Sequence, residues 1–85
     1  MSDYKQTLGE YRVGVSFNPN NNPLVDEIKR KAADLIDLID TISGDDGDTQ
    51  WERSNAVARL KALAATSVEE AAMWAVKAAT KQERE

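Results

Sequence analysis

Apolar residues recur every three or four positions in two long stretches of the chain. The first stretch begins at Leu24 and follows the period of an amphipathic helix. Asn22 suits the N-cap before it, and Pro23 suits the first helical position. A glycine and a run of aspartates then interrupt the period. The pattern predicts a first long helix over residues 23–43 and a turn over residues 44–48.

The second periodic stretch follows that turn and contains two helix-start signals. Thr49 and Glu52 have the spacing of a capping box, and Thr66 and Glu69 repeat it. The repeat leaves two alternatives, a pair of short helices or one long, bent helix. An apolar ridge passes straight through the repeat and favours one long helix over residues 49–81. The ridge consists of Val57, Leu60, Ala64, Val68, Ala71, Ala75 and Ala78.

The first part of the chain has no comparable period and includes a loop rich in asparagine and proline. Residues 13–17, with the sequence VGVSF, alternate apolar with small residues, which fits a short extended segment or an ordered arm. The two prolines disfavour helix at the residue before each of them. The chain is therefore predicted to be one all-α domain over residues 1–85. It has an N-terminal arm and loop over residues 1–22, followed by an antiparallel two-helix hairpin.

A two-helix hairpin leaves part of each helix uncovered, because each helix packs against only one face of the other. At about 100° per residue, Leu60, Leu63 and Trp74 share an arc that is expected to face the first helix. Met73 and Val76 lie away from that arc and form a second apolar surface. Such a surface predicts that the hairpin assembles into an oligomer. The alternative is that Met73 and Trp74 complete the core of a monomer.

Composition and charge exclude several classes of function. The 85-residue chain has no cysteine and no histidine, which excludes thiolate zinc sites, cysteine nucleophiles and histidine acid–base relays. A net charge of −4 disfavours long nucleic acid as a partner. No apolar run reaches membrane-spanning length, so a soluble cytoplasmic protein without a membrane partner is expected. No glycine-rich phosphate motif or EF-hand pattern is present. We therefore expect no enzyme, no catalytic residue, no metal and no cofactor.

Three segments of the chain carry a resemblance to a known family. In order, they are EYR, PLVDEIKRKAADLIDLID and TSVEEAAMWAVKAAT. Over roughly residues 10–81 they resemble the small phage proteins that share the anti-CBASS and anti-Thoeris hairpin domain. The resemblance is strongest at the pair Ile28 and Lys29 and at Thr66, Met73, Ala75, Val76 and Lys77.

The resemblance implies capture of a messenger without catalysis. Members of this family bind the cyclic di- or oligonucleotides, or the cyclic ADP-ribose isomers, of host immunity and withhold them intact from their effectors. It also implies a homo-oligomer, a hexamer built from dimers, with ligand pockets between subunits. The location would be the host bacterial cytoplasm. A helical oligomerisation or protein-interaction module with no nucleotide ligand is the alternative.

A ligand with bases and phosphates needs flat side chains for stacking and fixed cations for its charge. Tyr11 and Arg12 suit the first of these needs, because both offer a flat group for stacking, although Tyr11 has the alternative of anchoring the arm against a helix. Phe17 either stacks on a base or holds the loop to the start of the first helix. Thr66 and Lys77 match the family pattern on the second helix.

The resemblance assigns the phosphate cation of the first helix to Lys29. Its neighbours Arg30 and Lys31 each have an acidic residue four positions earlier, Asp26 and Glu27, with which to form an ion pair. Lys29 is therefore expected to be the freest of the three cations. The alternative for all three is a solvated side chain.

Overall fold

A computed structural model describes residues 5–44 and 51–84. In those ranges the chain forms three α-helices and no strand, which confirms the all-α prediction. No helix there is both long enough and apolar enough to cross a membrane. Residues 45–48 of the turn predicted at 44–48, and Thr49 of the predicted capping box, lie outside the described residues. The helices are α1 at Leu8–Val13, α2 at Pro23–Asp40 and α3 at Trp51–Ala79.

The helices α2 and α3 form an antiparallel hairpin. At the end of α2, Lys61 Nζ donates to the carbonyl oxygens of Asp40 (3.0 Å) and Ile42 (2.6 Å). At the other end, Val25 near the start of α2 and Val76 near the end of α3 line the same cleft. The last carbonyl groups of a helix have no hydrogen-bond partner within it, so Lys61 also supplies a donor to the C-terminal end of α2.

The start of α2 forms as its sequence predicts. The Asn22 side chain accepts hydrogen bonds from backbone N–H groups of the first turn, and Pro23 occupies the first helical position. Asn18 stabilises this cap, because its Nδ2 donates to the carbonyl oxygen of Asn22 (2.8 Å) and to the carboxylate of Asp26 (2.8 Å). The loop asparagines thus serve turn and cap chemistry. The helix ends at Asp40, before the predicted end at residue 43.

The helix α3 is continuous over 29 residues and passes unbroken through the second capping-box sequence. Its packed face differs from the predicted one. Over residues 52–79 of α3, the buried apolar residues are Ala65 and Ala72, whereas Leu60, Leu63 and Trp74 are all more than half exposed. The expectation that these three large side chains face the first helix is therefore wrong. Alanines let the helix backbones approach closely, and the larger side chains remain outside the contact.

The N-terminal arm contains a helix that the sequence pattern did not reveal. A reciprocal capping box starts α1: Thr7 Oγ1 accepts from the N–H of Glu10 (3.1 Å), and Glu10 Oε1 accepts from the N–H of Thr7 (2.8 Å). Gly14 ends the helix at a φ of +73°, a conformation that glycine adopts without strain. Of the two alternatives for residues 13–17, the short extended segment is wrong, because Val13 ends α1 and residues 14–16 form a turn.

The short helix α1 packs across α2 at Gly9. A Cβ atom added to Gly9 would lie 2.0 Å from the carbonyl oxygen of Ala33, so the two backbones are in direct contact. The N–H of Gly9 donates to Asp37 Oδ1 (2.7 Å). Beside it, Arg30 Nη1 donates to Glu10 Oε2 (2.9 Å), and Glu10 is buried. Polar contacts between α1 and α2 therefore flank a tight backbone contact.

The three helices form a thin layer. The Cα radius of gyration is 16.3 Å, and the extents are 59 × 38 × 14 Å. A compact domain of this length would have a radius of gyration of about 12 Å. Ile36 is the one large side chain among the described residues that is fully buried, whereas eleven large apolar side chains are exposed. Much of the apolar surface of the layer is therefore open to solvent in a single chain.

We expect Gly9→Ala to lower the free energy of unfolding by about 1–3 kcal/mol, because the new methyl group would overlap the backbone of Ala33. Gly14→Asn is the matched control, since no atom lies within 4 Å of a Cβ at Gly14 and asparagine tolerates a positive φ. Urea unfolding at one protein concentration, followed by circular dichroism, measures both variants. Equal stability of Gly9→Ala and the unsubstituted protein would contradict the close contact.

Candidate functional site

A groove lies between α1 and the second half of α3, and we call it the Arg12 groove. Its volume is about 420 Å³. A cleft of about 250 Å³ adjoins it, shares Lys29 and Val76 with it, and is walled by the loop at Phe17 and Asn18. We call this second space the Phe17 cleft. The Arg12 groove is lined by Arg12, Val13, Lys29, Glu69, Ala72, Met73 and Val76.

Arg12 is the accessible cation of the groove. Its Nη2 donates to Thr66 Oγ1 (3.3 Å) and lies 3.6 Å from Glu69 Oε2. These contacts hold the side chain of α1 against α3 while leaving 24% of it exposed. Both contacts use Nη2, and a guanidinium group has five N–H donors. Nε and Nη1 make no hydrogen bond to the described residues and can donate to a ligand.

Lys29 is buried, and its ammonium group is occupied. Nζ donates to the carbonyl oxygens of Gly14 (3.1 Å) and Phe17, and it lies 5.5 Å from the centroid of the Phe17 ring. The expectation that Lys29 is the freest of the three neighbouring cations is wrong. Its partners lie in a loop more than ten residues away, so the helical spacing of charges does not reveal them. Lys29 therefore fastens the turn after α1, and with it Phe17, to α2.

The other two cations of this stretch lie outside the groove. Lys31 Nζ is 3.8 Å from Glu27, which is the expected pair. Arg30 pairs with Glu10 and Asp34, each at 2.9 Å, and not with the acid four residues before it. The hydrogen bond with Glu10, followed by that with Asp34, raises the pKa of Arg30. Arg30 thus serves the contact between α1 and α2.

The two aromatic residues of the predicted site are both exposed. Tyr11 is 74% exposed, so it does not anchor the arm, and it lines neither the Arg12 groove nor the Phe17 cleft. Phe17 is 72% exposed and forms a wall of the cleft that bears its name. Its ring is not buried against the start of α2 and is open for stacking.

The predicted site residues of α3 have different surroundings. Thr66 accepts the hydrogen bond from Arg12 and so orients a groove residue from outside the groove. Lys77 Nζ lies 5.7 Å from the centroid of the Trp74 ring, and Lys77 lines neither the groove nor the cleft.

A larger hollow of about 550 Å³ lies at the end of α2 and contains none of the predicted site residues. Two cationic side chains close to it already donate hydrogen bonds to backbone carbonyl oxygens. Lys61 donates to the carbonyl oxygens of Asp40 and Ile42, and Arg53 Nη1 donates to the carbonyl oxygen of Gly44 (2.8 Å). These contacts cap the helix end and close the hairpin, so this hollow is a structural feature.

Comparison with known protein families identifies the chain. The family described as "Acb2/Tad1, hairpin domain" matches residues 10–80. The chain belongs to this family. It is the family of anti-CBASS and anti-Thoeris sponges, which act by binding and are not enzymes. Searches of curated proteins and of solved structures gave no match.

All residues that line the Arg12 groove fall within the part of the chain that matches the Acb2/Tad1 hairpin domain. The groove combines an apolar floor at Ala72, Met73 and Val76 with a guanidinium group at one end. It can receive a flat ring on the floor and an anion at Arg12. In the described part of the chain, no three acidic side chains converge as metal ligands.

The structure brings together part of the site that the sequence predicts. Sequence reasoning missed Glu69 as a groove residue, because its spacing from Thr66 indicated a capping box. The steps of three and four from Thr66 through Glu69 and Met73 to Val76 were the available signal, since they place these residues on one helix face. Of the predicted residues, Arg12, Lys29 and Phe17 line the groove or the cleft, Thr66 binds Arg12, and Tyr11 and Lys77 line neither.

We expect Lys29→Met to lower the free energy of unfolding by about 1–3 kcal/mol, because the carbonyl oxygens of Gly14 and Phe17 lose their donor. Lys31→Met is the matched control on the same helix, where an exposed ion pair contributes less than about 1 kcal/mol. Urea unfolding followed by circular dichroism compares the two variants. If Lys29→Met were as stable as Lys31→Met, the ammonium group would not be what fastens the loop.

Proposed function

We propose that this chain captures a cyclic nucleotide messenger of bacterial immunity in the host cytoplasm and withholds it, uncleaved, from its effector. One observation carries the proposal: a groove with an apolar floor and a guanidinium group lies within the residues that match the sponge family. The ligand class comprises cyclic di- and oligonucleotides and cyclic ADP-ribose isomers. These molecules share flat bases and phosphate anions within a closed ring.

In this proposal, Arg12 binds a phosphate of the messenger. A guanidinium group forms two parallel hydrogen bonds with phosphate oxygens, and the free Nε and Nη1 donors of Arg12 suit that geometry. A base lies on the floor of the groove, where the flexible Met73 adapts to its shape. The exposed ring of Phe17 stacks on a second flat group in the adjoining cleft.

The remaining predicted residues have supporting roles in this proposal. Lys29 adds positive charge between the groove and the cleft while its hydrogen bonds hold Phe17 in place. Thr66 orients Arg12 through its hydroxyl group. Tyr11 and Lys77 line no cavity of their own chain together with Arg12, so we propose that they act on the ligand of a neighbouring copy.

The chemistry of the groove favours capture over cleavage. Hydrolysis of a phosphodiester needs an activated water molecule, supplied by a general base or a metal ion. Among the described residues, Glu69 is the one carboxylate that lines the groove, and it is paired with Arg12. The sequence has no histidine or cysteine to act as a base or nucleophile. A messenger bound here would therefore be retained intact.

We also propose that the chain forms a homo-oligomer, a hexamer built from dimers. Support comes from the thin layer of helices and its exposed apolar side chains. Two of these side chains, Ile42 and Leu60, line a hollow of about 310 Å³ together with the half-buried Ile39 and Val57. Apolar surface of this extent is rare on a monomer and is typical of an interface.

A protein-interaction module without a nucleotide ligand is the second candidate. The exposed side chains of Met73 (67%) and Trp74 (61%) favour it, because exposed aromatic and methionine side chains are enriched at protein interfaces. Only capture of a messenger uses the cation at the end of the groove. Binding of a small anionic ligand therefore separates the two candidates.

We expect isothermal titration with cyclic dinucleotides, cyclic trinucleotides and cyclic ADP-ribose isomers to show binding of at least one of them. Arg12→Gln should weaken that binding roughly tenfold or more, because hydrogen bonds to a charged group are lost. Arg59→Gln is the control, since it makes the same charge change on α3 away from the groove residues. Ligand released by heat should be chemically unchanged. If none of the ligands in the panel bound, the proposed capture of a messenger would be contradicted.

Light scattering of the purified protein should give a mass several times that of one chain. Leu60→Asp should reduce this mass, because burial of a carboxylate in an apolar interface is costly. Ser67→Asp, at an exposed position of the same helix, is the control and should leave the mass unchanged. A protein that is monomeric at micromolar concentration before any substitution would contradict the oligomer.

A further inference from the structure

The Arg12 groove contains a carboxylate that capture of an anion does not require. Glu69 Oε2 lies 3.6 Å from Arg12 Nη2, and the Glu69 side chain is 33% exposed. Glu69 also lines the groove itself. A phosphate that binds Arg12 must therefore approach a fixed negative charge.

Holding Arg12 against α3 is only a small part of what this carboxylate does. Thr66 Oγ1 accepts a hydrogen bond from the same Nη2 atom and holds the guanidinium group from α3. An ion pair of this length between partly exposed groups contributes little to stability. The larger effect of Glu69 is on the charge that a ligand meets in the groove.

The charge of the groove lining depends on Glu69. The charged residues in the described lining are Arg12, Lys29 and Glu69, so two positive charges and one negative charge leave a net charge of +1. Without the carboxylate the lining would carry +2 and would favour the more negatively charged of two similar ligands. Glu69 opposes that preference at the position where the phosphate binds.

We propose that Glu69 makes the groove discriminate against terminal phosphate monoesters in favour of phosphodiesters. A phosphodiester carries one negative charge, whereas a terminal phosphate carries about 1.5 to 2 at neutral pH. The repulsion from Glu69 is therefore larger for linear nucleotides than for a messenger whose phosphates are all within a ring. This inference rests on the proposed function, because it assigns a selectivity to the same site.

The test uses two competitors that differ mainly in this charge. They are a nucleoside 5′-monophosphate that bears a base of the bound messenger, and its methyl phosphodiester. The protein is first loaded with the messenger of the panel that binds most tightly. Each competitor is then titrated in, and its inhibition constant is measured from the messenger that it displaces. The ratio of their two inhibition constants cancels effects that are common to both, such as a change in the position of Arg12.

Glu69→Gln removes the charge and keeps the size of the side chain. Glu70→Gln is the matched control: it makes the same charge change at the next residue, which does not line the groove and whose carboxylate accepts from Trp74 Nε1 (3.4 Å). Circular dichroism verifies that both variants are folded. Both residues lie on α3, so any effect on the helix as a whole is shared.

We expect Glu69→Gln to strengthen binding of the monophosphate relative to binding of the diester roughly fivefold. The size follows from the Coulomb energy between Glu69 and the additional charge of the monophosphate at a partly solvated site. The gain should shrink as salt is added, because mobile ions screen exposed charges. Glu70→Gln should leave the ratio as it is in the unsubstituted protein.

An unchanged ratio in Glu69→Gln, or an equal change in Glu70→Gln, would overturn the selectivity of Glu69 while messenger capture still stood. Equal weakening of both competitors in Glu69→Gln would also overturn it, because that result assigns Glu69 to holding Arg12. If the unsubstituted protein bound no messenger in the panel, the proposed function would fail before any variant was compared, and this inference would fail with it.

Discussion

Direct backbone contact between Gly9 and Ala33 places α1 on α2, and the Arg12 groove depends on that placement. The absence of a Cβ atom lets the first turn of α1 reach the α2 backbone, and Asp37 accepts the N–H that this approach brings to it. Arg12 lies one turn further along α1. Its side chain therefore reaches α3 and meets Thr66 there. A larger residue at position 9 would displace the groove's cation as well as the helix.

Polar contacts, more than apolar ones, hold the N-terminal arm. A helix of six residues is not stable alone in water, and α1 buries no large apolar side chain. It is fixed by the pair of Glu10 with Arg30 and by Lys29, which donates to the carbonyl oxygen of Gly14 just beyond its end. Breaking a buried polar contact of this kind costs the full desolvation of the group left behind. These contacts explain why α1 forms and packs on α2 despite the weak apolar pattern of this part of the chain.

The sequence predicts the features that depend on residues close together along the chain. It misses the contacts between residues that are far apart along the chain. The cap at Asn22 and the periods of α2 and α3 are local signals, and the structure has both helices. The contacts of Lys29 with the loop and of Arg12 with Thr66, 54 residues away, have no local signal. The packed face of α3 was assigned wrongly because alanines occur all around that helix. The residues buried on that helix are the small Ala65 and Ala72, which residue hydrophobicity does not distinguish from its other alanines.

The thin fold and the proposed capture of a messenger both call for a second copy of the chain over the groove. Sites for small ligands commonly cover 70–90% of the ligand surface, whereas one layer of helices covers a ligand from one side only. Met73 on the groove floor is 67% exposed in a single chain, and Phe17 at the cleft is 72% exposed. A second copy on the open face would complete the enclosure and bury the apolar side chains there. Tyr11 and Lys77, which line neither cavity of their own chain, are exposed and available to complete the site of that copy. Assembly would then be what turns an open groove into a closed site.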